Sequence, residues 1–271
     1  MADASGFPLG GSAPERYEQY VAPIVAPFVT ALVDAVDLYP GAAVLDLACG
    51  TGFAARAAAA RVGPSGRVFG TDPDAGRLKV AEALHPRLYP DIEFTVAPAD
   101  GLPYPDAGFD AVLCLQGAQL FPGLDAALAE AARVTRPGGR FAATVWADRS
   151  RSPYFEAQYE VLREYGGPDV AEDFARTLAR TAEHLTGALT AAGFHDTVSR
   201  EITFGITLPP LEGFSRGRLS VVPWGQGIVE TRGEEALAEA GRALAARLAD
   251  RTAPDGTATL PFSAILTTAV R

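Results

Sequence analysis

The chain is predicted to adopt a doubly wound α/β fold, in which helices cover both faces of a parallel sheet. Three observations predict it. Short apolar runs alternate with helical stretches across residues 43–146, the rhythm of successive strand–helix–strand units. The first run, Val44 to Ala48, enters a glycine turn, Gly50-Thr51-Gly52, and then a helical stretch. The 271 residues, 48% hydrophobic and 21% charged, are enough to bury a sizeable core.

In chain order, residues 14–39 carry a helical pattern that includes Tyr17, Tyr20, Ile24, Phe28 and Leu32, with Pro23 and Pro27 expected to break or kink it. Strands are expected at 43–48, 67–72, 91–96, 109–115 and 139–146, and helices at 52–62, 74–84 and 123–135. After residue 148 the rhythm changes. Residues 153–165 and 170–192 look helical, and 197–207 looks like a strand. Residues 208–232 look irregular, with Pro209-Pro210 and Pro223. An alanine-rich helix is expected over 233–250 and a closing strand over 257–270. A single domain is expected over 1–271. Its cofactor-binding core spans 14–147, a variable cap for substrate spans 148–232 with one core strand near 197–207, and the closing helix and strand span 233–271.

Composition bounds the partners. A net charge of −10 offers no electrostatic footprint for a phosphate backbone, so a small molecule is the expected partner and nucleic acid is not. The N-terminal MADASGFPLGG lacks the cationic and apolar regions of a secretion signal. No apolar run approaches the roughly 20 residues of a membrane helix. The expectation is a cytoplasmic protein without membrane insertion, for which a homodimer is admissible. Cys49 and Cys114 form no metal-ligand or disulfide spacing and read as small buried hydrophobes. His85, His184 and His195 form no metal-ligand pattern, so no metal is expected.

The glycine turn is the chemistry-bearing segment. Gly50 and Gly52 leave the main chain uncovered by a Cβ, and the helix that follows offers unpaired N–H groups. A dinucleotide site uses similar glycines. Asp46, four residues before Gly50, separates the two cases. A carboxylate there suits a ligand bearing an ammonium and a sulfonium, S-adenosylmethionine, better than a pyrophosphate. It can also hydrogen-bond the turn, and the two roles are compatible. Asp72 closes the second strand 22 residues after Gly50, where an acid accepts hydrogen bonds from ribose hydroxyls. Alternatively it caps a helix ahead of Pro73.

VLDLACGTG, GTDPDAG, APADGLPYPDAGFDAV and RVTRPGGRFAATVW, in this order and spacing, resemble the class I S-adenosylmethionine-dependent methyltransferases, in the branch related to the ubiquinone/menaquinone C-methyltransferases. The resemblance covers residues 14–147 well and the remainder loosely. It implies a Rossmann-like seven-stranded sheet whose last strand is antiparallel, with an N-terminal helix and a mostly helical cap inserted late in the chain. It also implies that the main chain of Ala48, Cys49, Gly50 and Gly52 faces the methionine part of the cofactor. Asp72, followed by Pro73, would hold the ribose, Ala99 and Asp100 would meet the adenine amino group, and the main chain of Gln116 would meet the methionine amino group. Arg77 stands where a bulky apolar residue often packs on adenine, and Pro98 removes a main-chain donor. The first helix would close over the cofactor and bring Tyr17 and Tyr20 to it by cation–π attraction; otherwise both face the core.

Catalytic residues stay unassigned. Gln119 and Leu120 fill positions that are commonly His-His in this branch. An amide takes up no proton at neutral pH, so Gln119 is a candidate for orienting a substrate. His184 is the one histidine to weigh as a base, against a plain place on a helix surface; His85 reads as a helix cap and His195 as solvated. Trp146 and Trp224 are candidate walls of a substrate pocket. With Phe155, Tyr159, Leu162, Phe174, Phe214 and Val221 they suggest a small apolar or aromatic acceptor, a metabolite or natural-product intermediate. The activity implied is methyl transfer from S-adenosylmethionine, leaving S-adenosylhomocysteine. The alternatives are an S-adenosylmethionine-binding enzyme of non-methylating chemistry such as a cyclisation, a nicotinamide dehydrogenase, and a non-catalytic partner protein.

Overall fold

The computed structural model describes residues 13–85 and 90–271. The N-terminal segment inspected for a secretion signal, and Pro86 after His85, lie outside the described residues. The runs read as strands pair into one sheet. Its strands are β1 (Ala43–Leu47), β2 (Arg67–Asp72), β3 (Ile92–Val96), β4 (Phe109–Leu115), β5 (Thr135–Trp146), β6 (His195–Leu208) and β7 (Ala258–Val270), in the order β3-β2-β1-β4-β5-β7-β6. β1 runs parallel to β2 and β4, β2 to β3, and β4 to β5, while β7 is antiparallel to β5. All five residues of β1 are buried, as a central strand covered on both faces requires. The sheet is the one expected, down to its antiparallel last strand.

The helices are α1 (Ala13–Asp34), α2 (Phe53–Val62), α3 (Ala75–Leu84), α4 (Leu124–Val134), α5 (Pro153–Tyr165), α6 (Pro168–Thr177), α7 (Ala182–Ala191), α8 (Leu211–Leu219), α9 (Pro223–Arg232) and α10 (Glu235–Arg247). Three departures from expectation have physical causes. First, α1 is continuous through Pro23 and Pro27. Each proline removes one amide donor, and burial of Ile24, Phe28 and Leu32 on the helix's apolar face holds the turns together. Second, the helix expected over 170–192 is two helices, because the Thr181 hydroxyl accepts the His184 N–H and starts α7 anew. Third, residues 208–232 are mostly helical. Pro210 and Pro223 sit at the N-cap of α8 and the first turn of α9, where a missing N–H is harmless. The glycines in this stretch make close packing. A Cβ on Gly225 would fall on the Leu219 carbonyl, and one on Gly217 on the Tyr20 ring.

The chain divides into two units. The sheet unit holds Ala26–Trp146, Arg180–Ile202 and Ala264–Arg271; the helical unit holds the residues through Val25, Ala147–Ala179 and Thr203–Ser263. The core of the sheet unit gathers Leu45, Leu47, Val112, Phe141 and Val145 from the strands and Leu128, Val134, Leu185 and Leu189 from α4 and α7. The helical unit has an aromatic core. Tyr154 packs near Phe155, Phe214 and Phe262, and Phe155 near Phe174. Phe155, Leu162, Phe174 and Phe214, read above as lining for an acceptor, are at most 2% exposed. They are core, each stabilising the unit by about 1.5–3 kcal/mol through burial.

Gly70 on β2 couples the sheet to the glycine turn. A Cβ there would lie 2.8 Å from Phe94 and 2.9 Å from the Cys49 sulfur. Gly70→Ala should therefore lower unfolding free energy by about 1–3 kcal/mol through overpacking, read as a lower urea midpoint. An unchanged midpoint would show that the turn gives way freely.

Candidate functional site

The sheet order reverses between β1 and β4, and a ligand site in such a sheet lies beyond the carboxyl ends of the strands at that point. Here both strands end in left-handed backbone. Ala48 follows β1 at φ +57°, and Gln116 follows β4 at φ +53°. Residues with a Cβ adopt this conformation at a cost of order 1 kcal/mol or more, and such residues gather at functional sites. The two turns are pressed together: a Cβ on Gly117 would stand 2.8 Å from the Ala48 Cβ and 2.9 Å from the Cys114 sulfur. Hydrogen bonds pin both turns to the sheet. Cys49 N–H donates to the Thr71 carbonyl at 2.8 Å, and Gln116 N–H to the Thr144 carbonyl at 2.9 Å.

Two buried carboxylates shape the glycine turn. Asp46, fully buried on β1, accepts the Ala55 N–H on Oδ2 at 2.7 Å, which ties the strand to the first turn of α2. Asp72, 4% exposed, accepts the Gly50 N–H on Oδ2 and the Asp74 N–H on Oδ1, both at 2.9 Å. Each thus has the turn-holding role read as its alternative, and each keeps lone pairs for a ligand. Burial pushes the Asp46 pKa up to about 7, against the Ala55 N–H and helped by the Asp72 charge. The same burial and the same carboxylate raise the Cys114 thiol to about 12 and push the Cys49 thiol up as well. Both cysteines are buried and unpaired, small hydrophobes as expected and no nucleophiles.

The cradle is polar and incompletely satisfied. Asp46 Oδ1, the Thr51 and Thr71 hydroxyls, and both amide atoms of Gln116 are sealed from solvent with no hydrogen-bond partner among the described residues. A Cβ on Gly50, at φ +56°, would meet nothing within 4 Å. This is an open main-chain face beside orphaned donors and acceptors, which fits a polar, elongated ligand such as S-adenosylmethionine. Sequence reading missed Thr51, Thr71 and Gly117. A threonine carries no motif signal, and the close approach of Gly117 to Ala48 is invisible in the sequence.

The other candidates fall as follows. Gln119 accepts the Trp146 N–H on its amide oxygen at 2.8 Å, which turns its NH2 outward as a donor. Trp146 is buried, with its ring 5.2 Å from that of Phe28. Pro73 follows Asp72 directly and Asp100 is exposed in the loop after β3, while Ala99 packs against the core. The Arg77 guanidinium lies 3.5 Å from Asp74. His184 is exposed on α7 and His195 is exposed beside Asp196. His85 ends α3 and accepts the Ile92 N–H on Nε2. Tyr17, Tyr20 and Trp224 belong to the helical unit, where Tyr20 rests on Phe214 and Trp224 on Phe174. Among the described residues no cluster of ligating side chains could hold a metal ion, and no helix is long and apolar enough to cross a membrane.

A family model described as a methyltransferase domain matches residues 44–139. The ubiquinone/menaquinone biosynthesis C-methyltransferase UbiE of Hahella chejuensis is 41% identical over 110 residues, 40% of this chain and 44% of that protein. The chain thus spans less than half the length of that relative. The protein of the same name from Bordetella parapertussis is 33% identical over 177 residues, 62% of this chain and 69% of that protein. Among solved structures, the YcgJ protein of Bacillus subtilis shares the fold, with a TM-score of 0.59 at 18% identity over 91% of this chain and 98% of that one.

The buried Asp46 has a measurable consequence. Its folded-state pKa of about 7 lies above the ordinary 3.8, so the folded chain holds the proton more tightly than the unfolded chain. The stability it contributes is fully present below pH 3.8 and is lost as pH rises through 7. Asp46→Asn removes that loss, which is at most about 1.4 kcal/mol per pH unit for one group. Urea midpoints of the variant should gain on those of the wild type between pH 4 and 7.5, and parallel pH profiles would contradict the shift.

Proposed function

This chain belongs to the S-adenosylmethionine-dependent methyltransferases, in the branch of the ubiquinone/menaquinone C-methyltransferases, and we propose that it methylates a small apolar or aromatic metabolite or natural-product intermediate. The observation that carries the reading is the pair of left-handed turns with unsatisfied buried polar atoms beside the bare Gly50 face. Bound S-adenosylmethionine supplies an electrophilic methyl group on a sulfonium, so the protein need only bind, align and exclude water.

In this reading the main chain of Ala48, Cys49, Gly50 and Gly52 and that of Gln116 hold the methionine part. Asp72, beside Pro73, accepts the ribose hydroxyls, and Ala99 with Asp100 meets the adenine amino group. Asp46 keeps a negative potential under the cationic end. Trp146 is a proposed substrate wall, and the Gln119 NH2, fixed by the Trp146 N–H, orients the acceptor. Gln119 takes up no proton and His184 is exposed on α7, so we favour a carbon or nitrogen nucleophile that needs little acid–base help. The relatives' names refer to quinone biosynthesis, which supports an aromatic acceptor. A single catalytic domain over the whole chain, a cytoplasmic location and the absence of a nucleic-acid partner belong to the same proposal.

Two measurements test it. Incubation with S-adenosylmethionine and a panel of aromatic acceptors should give products heavier by one methyl group, with an equal amount of S-adenosylhomocysteine. An altered acceptor of unchanged mass would instead support a cyclisation. Asp72→Ala should weaken S-adenosylhomocysteine binding by about 100-fold, the loss of two hydrogen bonds to a charged group, and unchanged affinity would remove the ribose assignment.

A further inference from the structure

The helical unit buries a cation that has no counter-charge against it among the described residues. Arg218 on α8 is 6% exposed. Its Nε and Nη1 are sealed from solvent and have no hydrogen-bond partner among the described residues. The ionisable groups facing it are the phenols of Tyr154 and Tyr17, and burial pulls its pKa down. A buried guanidinium left in this state is costly, whereas a leucine or methionine in its place would cost nothing of the kind.

Some of the surrounding polar groups are partnered and others are not. The Tyr154 hydroxyl donates to the Ser215 Oγ at 3.4 Å, joining α5 to α8. Gln158 lies one turn beyond Tyr154 on the same face of α5, and Arg218 one turn beyond Ser215 on the same face of α8. Gln158 is 0% exposed, and neither its amide atoms nor the buried Tyr20 hydroxyl has a hydrogen-bond partner among the described residues. The Tyr20 ring lies against Gly217, the residue before Arg218. The rest of the neighbourhood is aromatic, with Phe214 and Phe262 within 6.1 Å of Tyr154, centroid to centroid.

We propose that the helical unit holds an anion site in which Arg218, helped by Gln158, takes the carboxylate of a small and otherwise apolar acid. A carboxylate supplies both the acceptors and the negative charge that the guanidinium lacks, through charge-assisted hydrogen bonds. The Gln158 amide adds a donor, and the aromatic surroundings of Tyr154 disfavour a polar remainder. The site lies wholly within the helical unit and does not rest on the methyl-transfer reading.

Calorimetric titration of the full chain with 4-methylbenzoate and with its neutral twin 4-methylbenzamide tests this. The acid should bind at least about tenfold tighter than the amide. Arg218→Met should erase that preference while leaving S-adenosylhomocysteine binding and the thermal midpoint unreduced. Arg218→Lys, which keeps the charge, should retain part of the preference, and Gln158→Leu should weaken acid binding. Equal binding of the two probes by the wild type would overturn the site, even if every variant failed to fold. An Arg218→Met protein that still prefers the acid would overturn it equally.

Discussion

The structure turns on one hydrogen bond, from the Ala55 N–H to the buried carboxylate of Asp46. A carboxylate in the middle of a parallel sheet is costly unless its lone pairs are used. Here one oxygen locks the start of α2 to the end of β1, and this holds the glycine turn between them in place. The other oxygen stays unsatisfied among the described residues. The same side chain thus builds the turn and charges the space beside it. The raised pKa records the tension between the two: burial opposes the charge that the ligand would use.

The neighbouring strands repeat the device. Asp72 at the end of β2 holds Gly50 and Asp74 by their amides. Gln116 after β4 is held by both the carbonyl and the hydroxyl of Thr144. Each strand end is fixed through main-chain N–H groups, which leaves side-chain oxygens and the left-handed turns to meet a ligand. Fixing a site in advance in this way is what a methyl-transfer enzyme requires, since alignment is most of what the protein contributes. The helical unit follows different rules. Its interior is aromatic, its glycines admit close contacts, and two of its buried polar side chains, Arg218 and Gln158, hold atoms without a hydrogen-bond partner among the described residues.

Legibility in the sequence followed the length scale of the interactions. β2 and β4 were expected at the residues where they stand, as was α5, because two-residue and 3.6-residue periodicities are local signals. The glycine turn and both acids were legible because a bare main chain and a carboxylate at a strand end have few other uses. α8 and α9 were not. Pro210, Pro223 and the glycines among them read as breakers, and only tertiary contact shows that the prolines start helices and the glycines admit neighbours. The aromatic residues Phe155, Phe174 and Phe214 read as pocket walls because hydrophobicity alone does not separate a core from a lined cavity. Arg218 gave no signal at all, since a buried arginine and an exposed one look the same in a sequence.

The central claim is that the turn between β1 and α2 is built for S-adenosylmethionine and not for a dinucleotide. Calorimetric titration of the purified chain with S-adenosylmethionine, S-adenosylhomocysteine and NAD tests it most directly. Binding of the first two in the micromolar range, about −8 kcal/mol, with no heat from NAD, is the result this structure predicts. Binding of NAD alone would contradict it and assign the Asp46 carboxylate to the turn only.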